Sequence, residues 1–375
     1  MHDERLGLLA KRLVEYSVSL KQGEHLLIRA TPDEQQLVAE LIRAAYAAGA
    51  YPHVELSIPS LRKELLLGLS EVSAGAEADY EAARMDRMDA MISVGTTNNP
   101  MEYSEAPAEK LAIRALADQR ANRKVRDGGV KWCVAIYPTP FYAYCAGMSL
   151  TRFEDYYFRV CMLDYGSLGV AMARLQARMR RIDRVRIVRP DTDLRFSIQG
   201  IPVEVSAGER NLPDGEVYTA PVPESVEGTI AFNVPSTWQG VRFEGVTLRF
   251  ERGRVMEAFA NDTARLNRLL DTDRGARFVG EFAFGLNPEV DKPIGLTLFD
   301  EKIRSSIHLA LGSGLDLTDN GNRSAIHWDM VAILTREYGG GKIWFDDELV
   351  QKDGLFVPED LQALNHTNGQ RCKPS

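Results

Sequence analysis

The pattern over residues 25–57 narrows the folds open to this chain more than any other. His25-Leu26-Leu27-Ile28-Arg29-Ala30 is a short apolar run, and Thr31-Pro32-Asp33-Glu34 opens a helix with proline in its first turn. Leu37 to Ala48 keeps helical spacing until Gly49 stops it, and Tyr51 to Ser57 returns to strand. Strand, helix and strand of these lengths make a βαβ unit, and such units build parallel sheets. The alternation continues with largely helical residues 59–87, an apolar strand Ala90–Val94, a helix Glu109–Ala121 and a buried strand Trp132–Ile136. The polar loop Gly95-Thr96-Thr97-Asn98-Asn99-Pro100 leaves the carboxyl end of a strand, where open α/β sheets place ligands. Upstream, Leu6, Leu9, Leu13 and Tyr16 predict a helix over 4–20. Downstream of Tyr137-Pro138-Thr139-Pro140, a long helix up to about Arg181 is expected to bridge into a second domain, with Met148, Phe153, Tyr156 and Tyr157 as packing residues.

A chain of 375 residues exceeds the size at which one core keeps growing. From Val185 the texture changes to short strands and turns, among them Val185–Val188, Leu194–Ile198 and Val203–Val205. The expected organisation is therefore an α/β N-terminal domain with a parallel sheet over 1–182 and an α+β C-terminal metal-binding domain over 183–375. A formal net charge of −8 argues against nucleic acid and against anionic membrane as partners. No apolar stretch approaches the ~20 residues that span a bilayer. Met1-His2-Asp3-Glu4-Arg5 opens straight into a helical pattern without the run of a signal peptide. Cys133, Cys145, Cys161 and Cys372 lack metal-finger spacing and read as reduced thiols of a cytoplasmic protein, and the tail from Asn365 is polar. The chain carries no Gly-x-Ser-x-Gly elbow, Walker loop or dinucleotide glycine fingerprint.

Chemistry concentrates between Phe278 and Asp329. Glu281 stands between Val279 and Phe282-Ala283-Phe284, where a buried carboxylate needs a cation or a proton. His327 and Asp329 are two apart in a strand-like run, so both point to one face and can grip one ion. His308, 19 positions before His327, lies among Ile307, Leu309 and Leu311 and is either a satisfied core histidine or a third ligand. Glu301, in Phe299-Asp300-Glu301-Lys302, either begins a helix or joins the site. Glu216, following Asp214-Gly215, is either a solvated turn residue or a ligand at the mouth of a strand. His2, His25, His53 and His366 read as structural or surface residues.

Taken in order, Asn211-Leu212-Pro213-Asp214-Gly215-Glu216-Val217-Tyr218-Thr219-Ala220-Pro221, Gly280-Glu281-Phe282, Asp300-Glu301-Lys302, His308-Leu309-Ala310-Leu311-Gly312 and His327-Trp328-Asp329 resemble the metalloaminopeptidase family of aminopeptidases T and S. Gly23-Glu24-His25-Leu26-Leu27-Ile28 and Ala146-Gly147-Met148-Ser149 extend the likeness to nearly the whole chain. The resemblance implies two divalent ions (Zn, Co, Mn or Mg) on Glu216, Glu281, Glu301, His308, His327 and Asp329. It also implies a metal-activated water that removes N-terminal residues from short peptides, and a homodimer. Glu281 is then a plausible bridging ligand and Glu216 stands near the general-base position. The chain departs from the pattern in three places. The tyrosine expected seven positions after His308 is Leu315, which carries no hydroxyl, the loop between His308 and His327 is shorter than in those peptidases, and the Asp300–His308 spacing is stretched by about two residues. A second likeness, to ring-cleaving dihydroxypyridine dioxygenases, would use His308, His327 and Asp329 on one ferrous ion. It leaves Glu216, Glu281 and Glu301 without a role.

Overall fold

The computed structural model of the chain describes residues 3–365 apart from 96, 97, 100, 127 and 239. Thr96, Thr97 and Pro100 of the polar loop, and His2, His366 and Cys372, thus lie outside the described residues. The chain divides into two compact units, Met1–Met162 with Gly208–Leu212, and Leu163–Ala207 with Pro213–Ser375.

In the first unit, strands His25–Ala30, Tyr51–Leu56, Ala90–Val94, Lys131–Ala135 and Asn211–Leu212 form one parallel sheet. The His25–Ala30 strand lies between Tyr51–Leu56 and Ala90–Val94. The helix Gln35–Ala47 starts where the sequence signals it: Thr31 and Glu34 form a reciprocal capping box with Pro32 in the first turn. Residues 59–87 are two helices, Pro59–Leu67 and Glu71–Met85. The predicted helix over 4–20 is α-helical only over Glu4–Lys11 and widens into a π-type turn over Arg12–Ser17.

The units separate at 162/163, not at the 182/183 boundary expected from the sequence. The physical reason is a break in the long bridging helix. It is two helices, Leu150–Cys161 and Tyr165–Met179, and Asp164 caps the second by accepting the amide of Ser167 at 3.0 Å. Phe153, Tyr156 and Tyr157 are buried as packing residues.

The second unit holds two larger antiparallel sheets, one of eight strands and one of five. The five-stranded sheet runs, from one edge to the other, His327–Ile333, Ser306–Gly312, Val279–Gly285, Glu216–Thr219 and Glu204–Ser206. Its register sorts residues by face, because directly opposed residues and residues two apart share a side. Glu281 opposes Ala310, which opposes Asp329; His308 opposes Ala283, which opposes Tyr218; Gly285 opposes Glu216, and Gly312 opposes His327. All these residues stand on one face, with the small residues Ala283, Gly285, Ala310 and Gly312 leaving room between the longer ones. The other face presents Phe282, Phe284, Ile307, Leu309, Leu311, Trp328 and Met330, all buried.

Gly280 falls at a bulge where the register shifts between Val279 and Glu281, and a Cβ there would meet the carbonyl oxygens of Gly312 and Ser313. Gly280→Ala is therefore expected to destabilise by about 1–3 kcal/mol in chemical denaturation. Gly75, inside the Glu71–Met85 helix with open space where a Cβ would go, is the contrast: Gly75→Ala should stabilise by about 0.5–1 kcal/mol.

Candidate metal centre

The polar face of the five-stranded sheet brings five of the six expected residues together from its strands, and Glu301 joins them from the loop before Ser306–Gly312. Glu301 ends the short helix Thr297–Asp300 and does not begin one, and Glu216, the first residue of its strand, is buried and not a solvated turn residue. Three groups of donors each lie with their ligand atoms within 4.8 Å of one another: Glu216–Glu281–His308, Glu281–His327–Asp329 and Glu301–His308–Asp329.

Both imidazoles are oriented from behind. His308 donates Nδ1–H to the Glu301 carbonyl at 3.1 Å and His327 donates Nδ1–H to the Ser313 carbonyl at 2.8 Å. Each Nε2 is thereby aimed into the cluster, the arrangement that carbonyls impose on metal-ligating histidines. Glu281 stands between them, Oε1 at 3.4 Å from His308 Nε2 and Oε2 at 3.1 Å from His327 Nε2. Two buried carboxylate oxygens, Glu216 Oε2 and Asp329 Oδ1, have no hydrogen-bond partner. A buried unpaired oxygen is costly, and a cation relieves that cost.

The electrostatics of the metal-free cluster follow from burial and crowding. Burial pushes Glu216 up to about 8 and Asp329 up to about 6. Burial opposes charge on the imidazoles, yet Glu281 and the other carboxylates lift His308 to about 9, and Asp329 with Glu281 lifts His327 to about 10. Hydrogen bonds from both rings hold Glu281 well below the usual carboxylate range, against the effect of its burial. A group whose folded value is raised binds more protons folded than unfolded, so its contribution is full below the unfolded value and lost as pH rises through the folded one. The metal-free protein should accordingly lose thermal stability between about pH 6.5 and 10, and a divalent ion, which replaces those protons, should flatten the loss. A melting series with and without chelator reads this directly.

Sequence reasoning missed Lys302 and Asp214. The Lys302 side chain is 1% exposed, with Nζ 2.6 Å from Glu216 Oε1, 2.9 Å from Glu301 Oε1 and 3.9 Å from Asp214 Oδ1. Burial alone would favour the neutral amine, but Glu216, Glu301 and Asp214 hold it well above the ordinary lysine value. Asp214 is fully buried and accepts from Ser206 Oγ at 2.7 Å and from the Gly215 amide at 2.9 Å. In sequence only Glu301 of Asp300-Glu301-Lys302 stands out, as a helix start or a ligand, and the flanking Phe299 and Ile303 are the signal that the lysine is buried.

Leu315 lies partly buried in the loop between Gly312 and His327. Asn320 pins that loop by donating to the carbonyls of Pro221 and Val279, and Asn322 by donating to Gly275 and Gly312. Among the described residues, none of the three-donor groups contains both histidines, so the set His308, His327 and Asp329 considered from the sequence for one ferrous ion is not favoured. The first unit carries a separate polar cleft of about 860 Å³ at the strand ends, lined by Arg29, Glu55, Ser93, Asn98 and Asn122 among others.

A buried face of carboxylates and backbone-oriented imidazoles on an antiparallel sheet offers the donors that a divalent ion takes. The chain belongs to the thermophilic metalloprotease (M29) family, whose model matches residues 2–348. It is 30% identical to aminopeptidase T of Thermus thermophilus over a 404-residue alignment covering 96% of this chain and 93% of that protein. It is 27% identical to aminopeptidase 2 of Geobacillus stearothermophilus, covering 99% and 96%. The solved structure of wild-type AmpT from Thermus thermophilus superposes with a TM-score of 0.79 at 24% identity, over 95% of this chain and 99% of that one, and shows the same fold.

Proposed function

We propose that this chain is a metal-dependent aminopeptidase that removes N-terminal residues from short peptides by attack of an activated water. Membership in a metallopeptidase family places the chemistry in the hydrolase class, and relatives named aminopeptidases at similar identity narrow it. The observation that carries the reading is the group Glu281–His327–Asp329, with its oriented imidazole and its unpaired Asp329 oxygen.

When bound there, a divalent ion supplies a water acidic enough to attack near neutral pH and a Lewis acid for the peptide carbonyl. The protein's own groups do the rest. Ser313 O holds His327 Nδ1–H, so Nε2 stays available as a donor atom. Glu281 presents one oxygen towards each imidazole, which fixes both rings relative to one carboxylate. Glu216 Oε2, buried beside His308 Nε2 at 3.4 Å and otherwise unpartnered, is placed to take a proton and return it to the leaving amine. The cluster's surplus of carboxylates suits a substrate that arrives with a free α-amino group. The two-ion arrangement implied by the sequence resemblance meets, in this chain, the Lys302 ammonium on Glu216 and Glu301. By the same family likeness the working form is a homodimer, and cysteines that read as reduced thiols suit the reducing cytoplasm. Light scattering of the purified protein checks the assembly.

The test is release of free amino acid from unblocked dipeptides by protein stripped with chelator and reloaded with zinc, cobalt or manganese, run beside an oxygen electrode with hydroxylated pyridines. Metal-restored release without oxygen uptake is expected. Oxygen uptake with iron and no release would overturn the reading.

A further inference from the structure

We propose that Lys302 is a built-in cation for the half of the centre formed by Glu216 and Glu301, so that this chain holds one dication, on Glu281, His327 and Asp329. The inference rests on the metal-centre reading above but not on peptidase activity. Lys302 Nζ contacts one oxygen of Glu216 and one of Glu301, with Asp214 behind. Its backbone is tied on both sides, the amide donating to Phe299 O and the carbonyl accepting from the Asn287 amide, each at 3.0 Å. Two residues earlier, Asp300 is fixed as well, accepting the amides of Ile294 and Gly295 at 2.7 and 2.9 Å. The ammonium is thus built into the fold.

Of the three donor groups, one uses Glu216 and another uses Glu301, and each of those carboxylates already gives an oxygen to Lys302. Only Glu281–His327–Asp329 draws on neither. A dication in either of the other two positions would sit near an ammonium in buried surroundings, where little water screens like charges. Swinging the ammonium away would strand Glu216, Glu301 and Asp214 without it. The remaining group offers two carboxylates and one neutral imidazole, which match one dication in charge and leave a position for water. Asp329 Oδ1, buried and without a hydrogen-bond partner, belongs to that group. His308 then acts from beside it, its Nε2 facing Glu281 and Glu216.

The experiment counts metal. Full-length protein is stripped with chelator, equilibrated with Zn²⁺, freed of loose ion and measured by plasma mass spectrometry against protein concentration. The wild type should retain one equivalent and Lys302→Met two, because loss of the ammonium opens the Glu216–Glu301 half. Two equivalents in the wild type would overturn the inference whether or not the variant folds, and one equivalent in a folded Lys302→Met protein would overturn it too. No retained metal would sink both this inference and the metal-centre reading. One equivalent without peptide cleavage removes only the proposed function, and cleavage with two equivalents removes only this inference.

Discussion

Glu281→Gln should give a folded protein that neither holds metal tightly nor shows metal-dependent cleavage. The substitution keeps the shape of the side chain, so the strand Val279–Gly285, buried along its whole length, retains its packing. What disappears is the charge between two imidazoles, whose Nε2 atoms lie 3.4 and 3.1 Å from its two oxygens. Glu281 belongs to two of the three donor groups, including the one that Lys302 leaves open. Loss of an outer-shell partner alone typically costs about 10–100-fold in affinity or activity, and loss of a direct, charge-bearing donor should exceed that. Competition titration with a fluorescent chelator measures the affinity, and circular dichroism verifies the fold. An affinity reduced by less than about tenfold would place the ion elsewhere.

Trp328→Ala should carry the largest stability cost of any single substitution considered, about 3–5 kcal/mol in urea denaturation. Trp328 is 1% exposed, on the apolar face of the site sheet, with the Phe243 and Trp238 rings at 5.1 and 6.2 Å. Its Nε1–H donates to Ser236 Oγ at 2.8 Å, and Ser236 Oγ donates to the Asp329 carbonyl at 2.9 Å. The indole therefore both fills the core and steadies the residue that follows it. Trp328→Phe keeps most of the volume and loses the hydrogen bond, so it should cost less in stability while still loosening metal binding. Equal costs for the two variants would show that the hydrogen bond, not the packing, dominates.

The parts of this architecture that sequence discloses are those written in local periodicity. The parallel sheet was legible because the strand, helix and turn at His25–Leu56 need only neighbouring residues to declare themselves. The site face was legible for the same reason: Glu281 with Ala283, His308 with Ala310, and His327 with Asp329 alternate against Phe282, Leu309 and Trp328 along their strands. The helix break was harder to see, since Met162-Leu163-Asp164 carries no glycine or proline, and only Asp164 as a cap marks it. The short strand Glu204–Ser206 lies one residue from the expected Val203–Val205, whereas the two-residue strand Asn211–Leu212 falls below any periodic signal and pairs with a strand some eighty residues earlier in the chain. Lys302 was illegible because a lysine beside two carboxylates carries little local sign of burial. Only the fold reveals that Glu216, from a strand more than eighty positions away, closes over it.

The most direct measurement is cleavage of one short peptide in two forms, with a free amino terminus and with that terminus acetylated, by zinc- or manganese-loaded protein. A centre built on Glu281, His327 and Asp329 and serving an aminopeptidase should release the first residue from the free form only, and should stop when chelator is added. Equal cleavage of both forms, or cleavage that survives chelation, would contradict it.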